Sequence, residues 1–296
     1  MQPCCSEFIT LRGLRTHIRH WGNENSPMLF MAHGWMDVAA SFQFVVDHLQ
    51  QDWHVIAHDW RGFGLSDNGG TDGYWFADYL GDLDALLAHY SPDEAVNLLG
   101  HSMGGNVVML YAGVRPERVK KLINLEGFGM QATQPEQAPK RYAKWLQELR
   151  TPPILRSYAS RAEVALRLQK TNPRLSDERA EFLSQYWAAE NAAGEWDILA
   201  DPLHKSSSPI LYRLEEALAC WRQISAPVLW VEAEHTELLA KMGNPEQVRS
   251  EIARRIAHVP HLQQVIISQA GHMLHHDQPE QLASLIEEFL NQPSTV

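Results

Sequence analysis

The stretch Gly100-His101-Ser102-Met103-Gly104 decides the fold of this chain, because it joins a strand-like segment to a helix-like one. The apolar run 95–99 precedes it, and apolar residues at 107, 108, 110 and 111 follow it with helical spacing. Glycines on both sides of Ser102 permit a tight, strained turn in which a larger side chain would clash. The pattern G-x-S-x-G in this context predicts a nucleophile elbow, which presents the Ser102 hydroxyl at the edge of a sheet.

Strand-like and helix-like segments alternate on both sides of this turn. Before residue 127, further strands are predicted at 8–10, 16–21, 28–32, 54–58 and 119–125, and helices at 38–49 and 75–89. After residue 224, strands are predicted at 227–231 and 263–267, and helices at 245–257 and 279–290. This alternation predicts an α/β fold with a mostly parallel central sheet flanked by helices.

The alternation stops between about residues 127 and 224, where strand signals vanish. Helical segments punctuated by prolines take over, at 138–149, 161–169 and 178–189. We interpret this region as a helical lid inserted after the sixth strand. The core would then comprise residues 1–126 and 225–296, and the lid residues 127–224.

The composition of the 296 residues, 45% hydrophobic and 21% charged, is that of a globular protein in water. A net charge of −11 disfavours nucleic acid as a partner, and no apolar run is long enough for a membrane span. The N-terminus lacks the features of a signal peptide, and three cysteines without metal-ligand spacing fit a reducing compartment. We therefore expect a cytoplasmic protein without metal or organic cofactor. The sequence leaves open whether the protein forms a homodimer.

A nucleophilic serine needs a base. Because fifteen histidines are present, the candidate base has to be chosen by its position in the chain. His272 follows the last predicted strand and precedes the last helix, which places it at the carboxyl edge of the sheet. His275 and His276 lie just beyond and are expected to begin the helix, whereas His101 needs only its backbone within the elbow. His272 is therefore the predicted base for Ser102.

An oxyanion hole needs two backbone N–H donors. One should be the N–H of Met103, the residue directly after the predicted nucleophile. The other should come from the loop after the third strand, which reads His33-Gly34-Trp35-Met36-Asp37. The N–H of Trp35 is the candidate in that loop.

Five motif-like stretches follow one another along nearly the whole chain: HGWMD at 33–37, DWRGFGLSD at 59–67, LLGHSMGGNV at 98–107, APVLWVEAE at 226–234 and AGHMLHHDQPEQLASLIEEFL at 270–290. In these stretches and in their order, the chain resembles the α/β-hydrolase superfamily. The resemblance implies a sheet-plus-lid fold and a hydrolytic serine, in a lid-bearing, esterase-like member. It does not specify the substrate.

The acid that should orient His272 departs from the family's pattern. In most relatives an Asp follows the strand before the last one, but here the stretch 232–237 reads EAEHTE and holds no Asp. Some members, such as certain haloalkane dehalogenases, place a glutamate one strand earlier, where this chain has Glu126. Glu126 is the favoured acid, because a carboxylate at that buried edge needs a partner. Glu234 or Glu232 in the usual loop is the alternative.

Serine as the nucleophile fits acyl transfer. The leading hypothesis is a carboxylesterase that cleaves an ester, thioester or lactone of a small to medium hydrophobic acyl group through an acyl-enzyme. A carbon–carbon bond hydrolase or a cofactor-free lyase or oxygenase shares these motifs and stays open. A catalytically silent binding protein is the third hypothesis, and only the missing Asp favours it.

Overall fold

A computed structural model describes residues 1–293, in which eight strands form one mostly parallel sheet. The strands of this sheet are β1 (Cys4–Leu11), β2 (Leu14–Trp21), β3 (Met28–Ala32), β4 (His54–His58), β5 (Val96–His101), β6 (Val119–Leu125), β9 (Val228–Ala233) and β10 (Leu262–Ile267), and two further strands, β7 (Ala188–Glu190) and β8 (Trp196–Ile198), lie outside it. Their order in the large sheet is β1-β2-β4-β3-β5-β6-β9-β10. β1 and β2 are antiparallel to their neighbours, and all other pairs are parallel.

The helices lie between these strands or after the last of them in the chain. They are α1 (Gln43–Val46), α2 (Phe76–Tyr90), α3 (Met103–Val114), α4 (Ala138–Arg150), α5 (Arg161–Thr171), α6 (Asp177–Trp187), α7 (Leu214–Trp221), α8 (Leu238–Met242), α9 (Pro245–Ile256), α10 (Leu274–Asp277) and α11 (Pro279–Asn291). Within residues 1–293, none of them combines the length and the apolar composition that crossing a bilayer requires.

The central strands are buried along their whole length, since every residue of β4 and β5 is buried. Helices cover both faces of the sheet and divide the core into two clusters. One cluster contains buried residues of α2 and α3, such as Leu83 and Val107, and the other contains residues of α1 and α11, such as Val45 and Ile286. The predicted α/β fold with its flanked, mostly parallel sheet is confirmed.

The region between β6 and β9 holds the helices α4 to α7, as expected, but it is not wholly helical. β7 and β8 form a two-stranded antiparallel sheet, and α6 ends at Trp187, before the predicted limit of residue 189. A turn at Asn191 joins the two strands, because its side chain accepts hydrogen bonds from the N–H groups of Ala193 and Glu195. Strands of three residues are too short to show an alternating pattern, so the sequence did not indicate them.

The predicted helix at 38–49 is also shorter and divided. A 3-10 helix at Ala39–Phe42 leads into the four-residue α1. The hydroxyl of Ser41 donates a hydrogen bond to Oδ1 of Asp37, and the N–H of Ala39 donates a 2.8 Å hydrogen bond to Oδ1 of Asp59. These side-chain bonds satisfy donors at the start of the segment locally, so it begins as a tighter turn.

Candidate active site

Ser102 lies at the sharp turn between β5 and α3, with φ 52° and ψ −113°. This left-handed backbone is strained for a residue other than glycine. The N–H of Ser102 donates to the carbonyl oxygen of Leu125 over 2.8 Å, which holds the turn against β6. A Cβ at Gly104 would overlap the backbone oxygen of Ala32, and one at Gly100 would overlap the Gly104 carbonyl. The elbow therefore needs both glycines for close packing.

His272 lies in the loop between β10 and α10, at the same edge of the sheet. Its Nε2 is 3.0 Å from Oγ of Ser102. Its backbone is held on two sides: the carbonyl accepts a 2.8 Å hydrogen bond from Nε2 of His101, and the N–H donates to Oε2 of Glu237 over 3.3 Å. The predicted nucleophile and base are thus brought within hydrogen-bond distance across 170 residues of sequence.

Glu126 follows β6 and has a left-handed backbone, with φ 57°. Its buried carboxylate places Oε2 3.2 Å from Nδ1 of His272, and Oε1 accepts a 2.7 Å hydrogen bond from the N–H of Ala233. The hydroxyl of Thr236 also donates to Oε2. Burial raises the pKa of Glu126 above its ordinary value, and the contacts with His272, Thr236 and Ala233 act in the opposite direction.

The other carboxylates that the sequence offered have different partners. Glu234 is half-exposed, and its side chain accepts a 2.9 Å hydrogen bond from the N–H of Gln269. Glu232 is buried and accepts from the indole N–H of Trp230 over 2.9 Å. Of the carboxylates considered, the structure brings Glu126 to the imidazole and leaves Glu234 and Glu232 elsewhere.

The two predicted oxyanion donors are the backbone N–H groups of Met103 and Trp35. Met103 is the first residue of α3, so its N–H has no acceptor within the helix. The loop that carries Trp35 packs closely on the elbow, since a Cβ at Gly34 would lie 3.2 Å from Cβ of Ser102. In the part of the chain that the structure describes, the N–H of Trp35 donates to no protein acceptor. Both N–H groups are therefore available to a substrate oxygen.

His33 holds this loop in place, a role that was not predicted from the sequence. Its buried Nε2 accepts a 3.0 Å hydrogen bond from the N–H of Trp60, and its Nδ1 donates to the carbonyl of Gly34 over 2.8 Å. The indole N–H of Trp60 donates in turn to the carbonyl of His33. Burial lowers the pKa of His33, so the ring stays neutral and keeps this donor–acceptor pattern. The H-G stretch after β3 and the D-W stretch after β4 were the signals that the sequence offered.

The α5–α6 region contacts the loop that carries His272. Asn172 donates from its side chain to Oδ1 of Asp277 over 2.7 Å, and Arg174 pairs with Glu237 at 3.0 Å. Glu237 is the residue that accepts the N–H of His272. These pairs join residues far apart in sequence, so a single sequence carries no signal for them.

A cavity of about 490 Å³ lies beside the elbow. Its walls are mostly apolar, and they come from the core and from the region between β6 and β9. Its lining includes Trp35, Tyr74, Met103, Leu211, Tyr212 and Trp221. The volume is within the usual range for small-molecule sites.

Comparison with known proteins agrees with this architecture. Residues 27–279 match the family model of the alpha/beta hydrolase fold, and the chain belongs to this family. A serine hydrolase-like protein of Danio rerio is 25% identical, over 99% of this chain and 91% of that protein. Serine hydrolase-like protein 2 of Homo sapiens is 26% identical, over 91% of this chain and 88% of that protein.

The fold is shared with solved structures as well. A thioesterase domain from the curacin biosynthetic pathway superposes with a TM-score of 0.84 at 24% identity, covering 96% of this chain and 99% of that domain. At this identity the likeness shows the fold alone. The family match and the serine hydrolase-like relatives together identify the chain as a hydrolase of the alpha/beta fold.

Proposed function

We propose that this protein is a serine hydrolase that cleaves a carboxylic ester, thioester or lactone through an acyl-enzyme. The observation that carries the proposal is the continuous chain of contacts from Ser102 through His272 to Glu126, beside an apolar cavity. A hydroxyl at 3.0 Å from an imidazole that is itself oriented by a buried carboxylate is the arrangement that activates serine.

In the proposed reaction, Nε2 of His272 takes the proton from Ser102 as Oγ attacks the substrate carbonyl. His272 then protonates the leaving alcohol or thiol, which breaks the acyl bond and leaves the acyl group on Ser102. A water molecule deprotonated by His272 attacks this acyl-enzyme, and release of the acid restores Ser102.

Glu126 keeps Nδ1 of His272 protonated in the resting state and stabilises the imidazolium that forms during each transfer. The N–H groups of Trp35 and Met103 hold the oxyanion of the tetrahedral intermediates. A donor of this kind contributes about 10²–10³-fold to kcat in serine hydrolases.

The apolar lining supports a small to medium hydrophobic acyl group. Residues 203 to 221 supply part of the cavity wall, which supports the proposal that the region 127–224 acts as a lid over the site. The thioesterase domain with the same fold is consistent with acyl transfer as the chemistry. Thioesters and esters therefore both belong in the first substrate set.

The test is hydrolysis of p-nitrophenyl esters of graded acyl length, with Ser102→Ala as the inactive variant and Ser284→Ala as a matched control. Ser284 is an exposed residue of α11, away from the site. We expect turnover in the wild type and in Ser284→Ala, and its loss in Ser102→Ala. The acyl length with the highest kcat/KM would then measure the depth of the cavity.

Labelling with an organophosphonate separates the remaining hypotheses. Labelled Ser102 without ester turnover would favour a carbon–carbon bond hydrolase or a cofactor-free lyase or oxygenase, which assays with vinylogous diketones and cyanohydrins would then address. A correctly folded protein with neither labelling nor turnover would contradict the proposed hydrolase and favour a binding protein.

A further inference from the structure

A second cluster of titratable side chains lies directly behind the elbow. Asp37, His101 and His275 are 3%, 1% and 0% exposed. One polar atom from each side chain lies within 4.8 Å of the others, and Oδ2 of Asp37 is 3.6 Å from Nε2 of His275. The side-chain contacts between Ser102, His272 and Glu126 do not involve this cluster, which meets them only where His101 bonds to the backbone carbonyl of His272.

Several polar atoms of this cluster have no hydrogen-bond partner among residues 1–293. They are Oδ2 of Asp37, Nδ1 of His101 and both ring nitrogens of His275. A buried polar atom without a partner costs about 1–3 kcal/mol, and such atoms are uncommon in folded proteins. Four of them belong to three side chains that face one another, so the cluster offers unbonded donor atoms to one shared ligand.

The remaining polar atoms of Asp37 and His101 are held firmly. Oδ1 of Asp37 accepts hydrogen bonds from the N–H of Val38 at 2.9 Å and from the indole of Trp187 at 3.2 Å. Nε2 of His101 lies 2.8 Å from the carbonyl oxygen of His272. A carbonyl only accepts, so Nε2 carries the proton and Nδ1 presents a lone pair to the cluster. Side chains that bind metals are oriented by outer contacts of this kind.

We propose that Asp37, His101 and His275 bind one transition-metal ion of the Zn²⁺ type. Two imidazoles and one carboxylate suit Zn²⁺ and Co²⁺, whereas Mg²⁺ and Ca²⁺ prefer oxygen donors alone. Donors about 2.0–2.1 Å from a tetrahedral Zn²⁺ lie about 3.3 Å apart. The 3.6 Å between Asp37 and His275 is close to this spacing, and the wider separations in the cluster, up to 4.8 Å, have to shorten by as much as about 1.5 Å.

Such an ion would join three segments of the proposed active site. Asp37 ends the loop that carries Trp35, His101 is the last residue of β5 and directly precedes Ser102, and His275 lies in α10, three residues beyond His272. The ion would hold these segments in register from behind. The inference rests on the cluster itself and is independent of the reaction that Ser102 performs.

The test is Zn²⁺ and Co²⁺ binding by the full chain after metal removal with a chelator. We expect one equivalent of Zn²⁺ to bind and to raise Tm, because a ligand of the native state stabilises it. Co²⁺ should show visible d–d absorption without thiolate charge transfer. Both effects should be lost in His275→Gln and kept in His235→Gln, a half-exposed histidine away from the cluster.

His272→Gln should also keep Zn²⁺ binding, which separates this site from the proposed catalytic contacts. A wild type that binds no Zn²⁺, or a His275→Gln variant that still binds one equivalent, would overturn the proposal. Thiolate charge transfer would place the ion on a cysteine and would equally overturn it. If His275→Gln does not fold, Asp37→Asn removes a ligand of the same site and gives the same comparison.

Discussion

The hydroxyl of Thr236 donates a hydrogen bond to Oε2 of Glu126, the same oxygen that lies 3.2 Å from Nδ1 of His272. The loop after β9, where most α/β-hydrolases are expected to hold the acid, thus supplies a hydroxyl that supports an acid from β6. Because Oε1 of Glu126 accepts the N–H of Ala233 from the end of β9, both oxygens of the carboxylate are bound on that side. We propose that the two loops together take the place of the single Asp that the family pattern would supply.

The first prediction concerns the choice of acid. Glu126→Gln keeps the shape of the side chain but removes its charge, so the imidazolium loses its stabilisation and kcat should fall about 10³-fold or more. Glu234→Gln is the matched control, because Glu234 is half-exposed and bonds to Gln269 instead. Steady-state ester hydrolysis by both folded variants provides the measurement. A Glu126→Gln variant with nearly full kcat would show that the assignment is wrong.

The second prediction concerns Thr236. Its hydrogen bond lowers the pKa of Glu126 against the effect of burial, so Thr236→Val should raise that pKa. Protonation of Glu126 removes the charge that supports His272, so the acid limb of the kcat/KM profile should move to higher pH by about one to two units, since a hydrogen bond to a charged group contributes about 1.5–3 kcal/mol.

Thr236→Ser is the matched control for that variant, because it retains the hydroxyl and should retain the wild-type pH profile. A Thr236→Val profile that coincides with the wild type would argue against a positioning role. A uniform loss of kcat without any shift would point to a merely structural effect.

The third prediction concerns close packing at the elbow. Gly104 is the second residue of α3, where helix propensity alone would favour Ala by about 1 kcal/mol. The overlap of a Cβ with the backbone oxygen of Ala32 should outweigh this gain, because the backbone fixes the positions of both atoms. Gly104→Ala should therefore lower the free energy of unfolding by about 3 kcal/mol or more.

Gly73→Ala is the control, since a Cβ at Gly73 meets nothing within 4 Å. It should change the free energy of unfolding in urea by less than about 0.5 kcal/mol. Equal free energies of unfolding for the two variants would show that the elbow accommodates a Cβ at position 104 without loss of stability.

The fourth prediction concerns pH and stability. His204 stacks between Phe63 and Tyr74, with ring centroids 3.7 Å and 3.6 Å away. Its Nε2 donates to the carbonyl of Arg61 at 3.1 Å, and its Nδ1 accepts from the hydroxyl of Tyr79 at 3.2 Å. Burial is the main cause that lowers the pKa of His204 to about 4.

Because the native pKa of His204 lies below the unfolded value of about 6.5, the unfolded state binds more protons between these two pH values. Above the unfolded pKa, the neutral ring makes its full contribution to the free energy of unfolding. This contribution falls as the pH drops toward the native pKa of about 4. This histidine should account for about 2 kcal/mol of the loss in unfolding free energy between about pH 7.5 and pH 5.

Urea denaturation at both pH values measures this loss. His204→Gln keeps one donor and one acceptor but does not titrate, so its unfolding free energy should fall by less than that of the wild type. His235→Gln, a half-exposed control, should behave as the wild type does. An equal loss in His204→Gln would exclude His204 as the titrating group.

Much of the fold was predictable because its signals are local. β3, β4 and β6 have the predicted bounds, since buried parallel strands are short apolar runs closed by turns. The G-x-S-x-G turn needs its two glycines because a Cβ at either position would overlap backbone atoms. This requirement is visible in the local pattern, so Ser102 could be placed from sequence. The strands β7 and β8 were missed because each has three residues, too few to show an alternation of apolar and polar side chains.

The sequence by itself determined an α/β sheet, a strained turn at Ser102, and a histidine at residue 272 on the same edge. It left Glu126 and Glu234 as alternatives, because a carboxylate at a strand end looks the same whether its partner is an imidazole or water. Only the tertiary structure decided which of them contacts His272, and only it brought Thr236 to Glu126 and gathered Asp37, His101 and His275. Those relations depend on the approach of loops that are distant in sequence, and the close packing of the whole sheet sets their distances.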